Sequence, residues 1–434
     1  MNFPRWLALS AGALILSAIS PLASARPHLA IDSIDALDEQ IQVSLDYLAN
    51  GNIPQAQLLA RQIAWRFPDF ALGQLIHAEL ESVSAFNDVL VSDDQPMSRN
   101  VSELLLEAQR RLAARHLETA PDRSVLLTPH PVPGNIVQIG KKLSQLVVVD
   151  LQASVLYHYD TANQQPILLR QHYIGSGEAG FGKRLEGDLK TPLGIYNITG
   201  YRSDSSLPDL YGSGALTLDY PNALDRHLGR TGYGIWLHGV PSNQLSRTPY
   251  SSEGCVTMSN EHLSRLAIEL DASSTQVILT NDATPLDTKL RRAMQRNFSE
   301  LFLRYQSAWT SGDEDELLEL YSDETQLLDL LASGNNGLTR VSNVDATPTR
   351  APVDGPNLSL EHLWYQQAFS SIQPEDLNIF IHPDMNDNEL APSAGVVVNA
   401  TFGALGEYQI TTYWAVGPDG QWRILTETAE NKGL

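Results

Sequence analysis

Gly234-Ile235-Trp236-Leu237-His238-Gly239 is an apolar run that ends in a histidine, and Ser251-Ser252-Glu253-Gly254-Cys255-Val256 follows it, with Cys255 17 residues beyond His238. The first stretch reads as a strand that stops where a turn begins. The second reads as a turn entering a strand or a helix. Two strand ends joined by a loop can set a thiol beside an imidazole. A thiol works as a nucleophile when a neighbouring base or positive field favours the thiolate. Gly254 lets backbone amides approach a substrate oxygen closely, as an oxyanion hole requires. Cys255 is therefore a candidate nucleophile and His238 its candidate base. The plainer alternative is a buried apolar cysteine paired by chance with one of 11 histidines.

Strand signals surround this stretch. Leu146 to Asp150, Ser154 to His158, Ile167 to Ile174, Gly194 to Ile198 and Thr275 to Leu279 are short β-branched or aromatic runs. Thr161-Ala162-Asn163 supplies a turn, and glycines crowd Gly175 to Gly182. The pattern predicts an all-β domain over 140–282. Upstream, residues 26–124 read as helical. Ile41, Val43, Leu48, Ala56, Leu59, Ala60, Ile63 and Ala64 keep a helical period, Asn50-Gly51-Asn52 stops one helix and Pro54 opens the next. This looks like one tetratricopeptide-type pair, followed by a helix from Val101 to Leu117. Val125 to Gly140 contains prolines and reads as a linker over 125–139. From Thr288 a helix carries Phe298, Leu301, Phe302, Tyr305 and Trp309 on one face, and Asp315 to Tyr321 forms a second. Ser333 to Asn357 reads as a long loop. Strands are expected over Leu377–His382, Gly395–Phe402, Tyr408–Val416 and Gln421–Thr426. Residues 288–434 thus predict an α+β domain.

Composition narrows the classes. The 434 residues carry a net charge of −22, which leaves no broad basic surface for nucleic acid. From Phe298 onward lie 21 of the 51 acidic residues but only 5 of the 29 basic ones. Cys255 is the only cysteine, so no intrachain disulfide and no cysteine-based zinc site can form. Arg5, the apolar stretch Trp6–Ile19 and Ala23-Ser24-Ala25 read as a signal peptide over 1–25, cut before Arg26. The mature chain is expected to be periplasmic, with no integral membrane segment. An exported protein usually pairs its cysteines or avoids them, which draws attention to Cys255.

Three blocks carry a family resemblance. His238-Gly239 with Ser252-Glu253-Gly254-Cys255-Val256 resembles the signature of the YkuD-type L,D-transpeptidase catalytic domain: a histidine, a spacer of this length, then Ser/Thr-His-Gly-Cys. Glu186-Gly187-Asp188-Leu189-Lys190-Thr191-Pro192-Leu193-Gly194-Ile195-Tyr196 resembles that family's G-D-x-x-T-P-x-G-x-Y block, and Val148-Val149-Asp150 its opening strand. The resemblance covers about 140–282. It implies an all-β sandwich that attacks the L,D peptide bond of peptidoglycan tetrapeptide stems through an acyl-enzyme, without cofactor or metal. Carried over by position, Cys255 is the nucleophile, His238 the base and the Gly239 carbonyl its orienter. The amides of Gly254 and Cys255 are oxyanion donors, and Ser252 and Tyr233 line the groove. Glu253 stands where the family has a second histidine, and Thr257 where a basic residue is common. A carboxylate there disfavours a thiolate.

Trp309, Asp315, Tyr321, Trp414 and Trp422 make 288–434 similar to a nuclear transport factor 2-like cone, whose concave face implies a pocket for a protein or small ligand. His382 and Asp384 read as an ordinary strand end rather than a metal or acid/base pair. The three-part layout resembles the cell-shape-determining L,D-carboxypeptidases, which implies a hydrolytic alternative that trims tetrapeptide to tripeptide stems. The other function class is a non-catalytic wall-binding protein, and the retained Cys255–His238 pair favours the enzyme.

Overall fold

The computed structural model describes residues 34–85, 106–107, 110–111, 131–322, 367–384, 395–403 and 408–431. The expected signal peptide, most of the helix expected at Val101–Leu117 and the loop expected at Ser333–Asn357 lie outside them.

Helices α1 (Ile34–Ala49), α2 (Ile53–Arg66) and α3 (Ala71–Ala85) build the N-terminal module. Gly51 takes a positive φ of 74° at the tight stop between α1 and α2, a conformation glycine adopts without strain. Leu37, Ile41, Ile63, Phe70 and Leu72 form its core, and Leu245 of the central domain packs onto it. The sequence reading, helical over 26–124, names no separate helix at Ala71–Ala85. Among the described side chains of α3, Leu72 and Leu80 are buried apolar positions.

The central domain is an eight-stranded curled sheet. Its strands are β2 (Gln145–Asp150), β3 (Val155–Asp160), β4 (Ile167–Tyr173), β6 (Gly194–Ser203), β7 (Gly214–Leu218), β8 (Trp236–His238), β10 (Val256–Thr257) and β11 (Thr275–Thr280). Their order is β10-β8-β7-β6-β11-β2-β3-β4. A small pair, β5 (Ser176–Gly177) and β9 (Tyr250–Ser252), flanks it. The domain is not purely β. Helix α4 (Ala223–His227) and the ten-residue helix α5 (Asn260–Glu269) belong to it. Leu263 and Leu266 of α5 complete the inner core, which explains an apolar stripe too short to announce itself.

β2 shows why Leu146-Val147-Val148-Val149 is apolar without alternation. Val147 and Val149 enter the inner core. Leu146 and Val148 enter a second core shared with Phe380, Val397 and Tyr413 of the C-terminal domain. Strands buried on both faces read as continuous apolar runs.

The C-terminal domain sets α6 (Thr288–Ser311) and α7 (Glu314–Leu320) against an antiparallel sheet of β12 (Asn378–Ile381), β13 (Val396–Phe402), β14 (Tyr408–Val416) and β15 (Trp422–Asn431). Phe298, Phe302 and Tyr305 of α6 bury against Val396, Val398, Ala400 and Trp414. The expected linker needs correction at its end. Ile136–Gln138 is strand β1, paired with β12 at the edge of this sheet. Ile136 and Ile139 are buried in the interdomain core, which gives the segment a reason to be a strand. The C-terminal sheet therefore lies between the central domain and α6, and the chain visits it before building the central sheet.

Candidate active site

β8 and β10 run parallel, with Leu237 level with Val256 and His238 level with Thr257. Leu237 and Val256 both enter the inner core. Side chains alternate along a strand, so Trp236, His238 and Cys255 share the other face. A strand spacing of ~4.8 Å and a two-residue offset of ~6.6 Å set the Cα atoms of His238 and Cys255 about 8 Å apart, a span that an imidazole and a thiol can close. Tyr211 lies across this face, its ring 5.1 Å from Trp236 and 5.0 Å, edge-on, from His238. Arg202 stands over the Trp236 ring at 5.3 Å. Nothing in the sequence pattern marks Tyr211, which reaches the site from a single 3-10 turn before β7.

His238 is buried, and its Nδ1 lies 2.6 Å from the Gly239 carbonyl oxygen. A carbonyl can only accept, so Nδ1 carries the proton and the neutral ring keeps its Nε2 lone pair free to act as base. Burial pushes the imidazole pKa down to about 4, against the support of the Gly239 carbonyl for the cation, and Arg247 adds to the lowering. Cys255 is half-buried and its thiol donates to the Gly234 carbonyl at 3.3 Å. Burial pushes the thiol up to about 11. A Trp236 backbone hydrogen bond opposes this, the Glu253 carboxylate adds to it, and Lys183 and Arg247 oppose it. At rest the pair is neutral thiol and neutral imidazole. The thiol proton must therefore leave as the sulfur attacks, because neither group holds its charge well before then.

The turn around the thiol is fixed from within. Ser252 Oγ donates to the Cys255 carbonyl at 2.6 Å and accepts from the Gly254 amide at 3.2 Å. Two expectations change. Ser252 is buried and shapes the turn rather than lining a groove. The Gly254 amide is taken up by Ser252, which leaves the Cys255 amide as the oxyanion candidate. Gly254 has φ 130°, and a Cβ there would meet the Lys190 carbonyl at 2.8 Å. Glu253 is exposed at the tip of the turn. Tyr233 is 77% exposed, so its ring is open to solvent just before the Gly234–Gly239 stretch.

Two supporting clusters explain why the sequence blocks travel together. Asp188 accepts from the amides of Arg184, Leu185 and Lys190 and from Lys183 Nζ at 2.8 Å. Its pKa is pulled to about 2; burial opposes this, but those hydrogen bonds outweigh it. The block it ties places the Lys190 carbonyl directly against Gly254. On the histidine side, Asn260 Oδ1 accepts from the amides of Ser213 and Val240, and Asn260 Nδ2 donates to the Val240 carbonyl. A Cβ at Gly239 would meet that Oδ1 at 2.1 Å. Asn260 opens α5 behind the Ser259 cap, and its distance from His238 in sequence hid its role.

His382 and Asp384 lie at the domain junction, away from these strands. Buried Arg230 pairs with Asp225 at 2.9 Å and with Asp384. Burial pushes His382 down to about 3, with Arg230 adding to it.

Residues 144–279 match the family model YkuD, the L,D-transpeptidase catalytic domain. Among solved structures, the chain is similar to the helical cell shape determining protein Pgp2 from Campylobacter jejuni, at 20% identity and a TM-score of 0.47, covering 70% of this chain and 97% of that one. It is also similar to Bd1075 from Bdellovibrio bacteriovorus, at 18% identity and a TM-score of 0.48, covering 70% of this chain and 99% of that one. No curated protein matches the chain.

Proposed function

We propose that the L,D-transpeptidase-type catalytic domain at 144–279 acts on peptidoglycan stems through Cys255 in an exported protein. The observation that carries the reading is the His238 ring. Its Nδ1 is committed to the Gly239 carbonyl, and it shares a strand face with the chain's single thiol. His238 Nε2 takes the thiol proton as the sulfur attacks the carbonyl of the L,D bond. The C–N bond breaks, and the proton passes to the departing amine of the D-residue. A thioester remains on Cys255. An acceptor amine then attacks, gives its proton to His238 and restores the thiol. The Gly239 carbonyl plays the orienting part that an aspartate plays in a serine triad. The Cys255 amide faces the developing oxyanion.

Glu253 favours an amine acceptor. A carboxylate at the exposed tip of the turn attracts an incoming ammonium group, and its part in raising the thiol is smaller than that of burial. If water takes the acceptor's place, the same thioester yields an L,D-carboxypeptidase, the activity that links such proteins to cell shape. The C-terminal α+β domain, read as a nuclear transport factor 2-like cone, would offer a concave face for a protein or small ligand. Among the described residues no helix is long and apolar enough to cross a membrane. Incubating the protein with purified tetrapeptide muropeptides and weighing the products tests the reading. Cross-linked dimers establish transfer and tripeptides establish hydrolysis. Products that persist with Cys255→Ala would overturn it.

A further inference from the structure

The loop from Val240 to Pro249 connects His238 to the strand that enters the Cys255 turn, and the N-terminal module grips it. Ser246 Oγ donates to Glu107 Oε1 at 2.5 Å. Leu245 packs on the core of the helical module. Arg110 donates through one guanidinium nitrogen to the Tyr250 hydroxyl at 2.9 Å and through the other to Ser154 Oγ at 2.5 Å, and its carbon lies 4.8 Å from the Tyr250 ring centre. Behind them, buried Arg111 holds Asp38 of α1 at 2.5 Å and Glu107 at 3.4 Å, and stands 5.3 Å over the Tyr173 ring. Tyr173 in turn donates to the Arg247 carbonyl at 2.8 Å.

We propose that Arg110 and Glu107 are positioning residues for the nucleophile: the N-terminal helices set the register of the 240–250 loop and, through Tyr250, the shape of the Cys255 turn. The path is short. Tyr250 begins β9, which pairs with β5 and ends at Ser252, the residue whose hydroxyl closes the turn. The central domain holds the ends of the loop, through Asn260 at Val240 and Ser176 at Pro249, and the helical module holds its middle at Leu245 and Ser246. A fork from Arg110 onto a strand residue and the serine of the turn before β3 fixes direction as well as distance. A displacement of about 1 Å at a nucleophile can cost a factor of about 100 in rate. A buried ionic network that adds little net stability can still specify one geometry. Neither residue touches substrate in this account, and the inference rests on Cys255 being the nucleophile.

The test uses the full-length protein with Arg110→Met, Arg110→Lys, Tyr250→Phe and Glu107→Gln. Three quantities are read: kcat and KM on a tetrapeptide muropeptide, the rate of Cys255 alkylation by iodoacetamide at fixed pH, and the melting temperature. Arg110→Met should lower kcat about 10- to 100-fold with KM within a factor of about 2, and should change the alkylation rate. Tyr250→Phe should show a smaller loss of the same kind, and Arg110→Lys a partial rescue. Unchanged kcat and alkylation rate in Arg110→Met and Glu107→Gln, with only the melting temperature lowered, would make the network plain structural support and overturn the proposal. If a variant fails to fold, Tyr250→Phe, which deletes one oxygen, decides alone. Loss of the nucleophile reading shows separately, as turnover surviving in Cys255→Ala.

Discussion

At the scale of single residues, the site is a neutral pair held ready rather than a preformed ion pair. With the thiol pushed up to about 11, alkylation of Cys255 in the free protein should keep rising with pH toward that value, where an ordinary thiol would level off near 9. Glu253→Gln should move the profile to lower pH, since the carboxylate is one of the groups raising it. A profile that levels off near pH 9 would contradict this. His238 sets the other limb. Its folded pKa of about 4 lies below the unfolded value of about 6.5, so between those pH values the unfolded chain binds the proton and the folded one does not. Stability from this burial is present above pH ~6.5 and is lost as pH falls through about 4. His238→Gln should flatten the dependence of the melting temperature on pH across that window while removing turnover. Cys255→Ala should abolish turnover and leave the melting temperature nearly unchanged, because a small apolar group replaces a half-buried thiol.

At the scale of elements, the site is two strand ends fixed from both sides. β10 is only two residues long, yet Gly175 exchanges backbone hydrogen bonds with Thr257 on one side and β8 pairs on the other. The expected cost of disturbing this lies in the junctions. Asn260→Ala removes three hydrogen bonds that hold Ser213 and Val240 around the His238 end. Leaving two part-buried amides unpaired should cost about 1–3 kcal/mol and lower kcat more than it raises KM. Chemical denaturation and steady-state kinetics check both halves. Gly254→Ala should be worse for activity than its size implies, since φ 130° and the Lys190 carbonyl both oppose a Cβ.

At the scale of the whole molecule, the central and C-terminal domains share one core. Phe380, Val397 and Tyr413 bury against Leu146, Val148, Tyr157 and Ile278, and β1 threads the junction. The two should therefore unfold together. Phe380→Ala, at a fully buried ring, should cost about 3–5 kcal/mol and lower a single shared transition seen by calorimetry. Two separate transitions, with only the later one shifted, would show the domains to be independent. The buried Arg230–Asp225–Asp384 group spans the same junction. Arg230→Met would remove the cation that two buried carboxylates share and should cost a comparable amount.

The residue pattern by itself singled out the candidate pair Cys255 and His238, the strand runs and the helix face of α6. Cysteine next to a glycine, histidine at a strand end and period-coded burial are local statements, and local chemistry writes them into neighbouring letters. It could not reveal that Ser252 spends the Gly254 amide, that Tyr211 crosses the imidazole or that Asn260 braces the histidine end. Those contacts join residues 2 to 47 positions apart through turns whose side chains carry no periodic mark. The same limit applied to β1, which looks like proline-bearing linker because its partners lie some 240 residues away. Only folding brought those partners together. Burial then lowered the pKa of an ordinary histidine and raised that of an ordinary thiol, because desolvation depends on what surrounds a side chain and not on what precedes it.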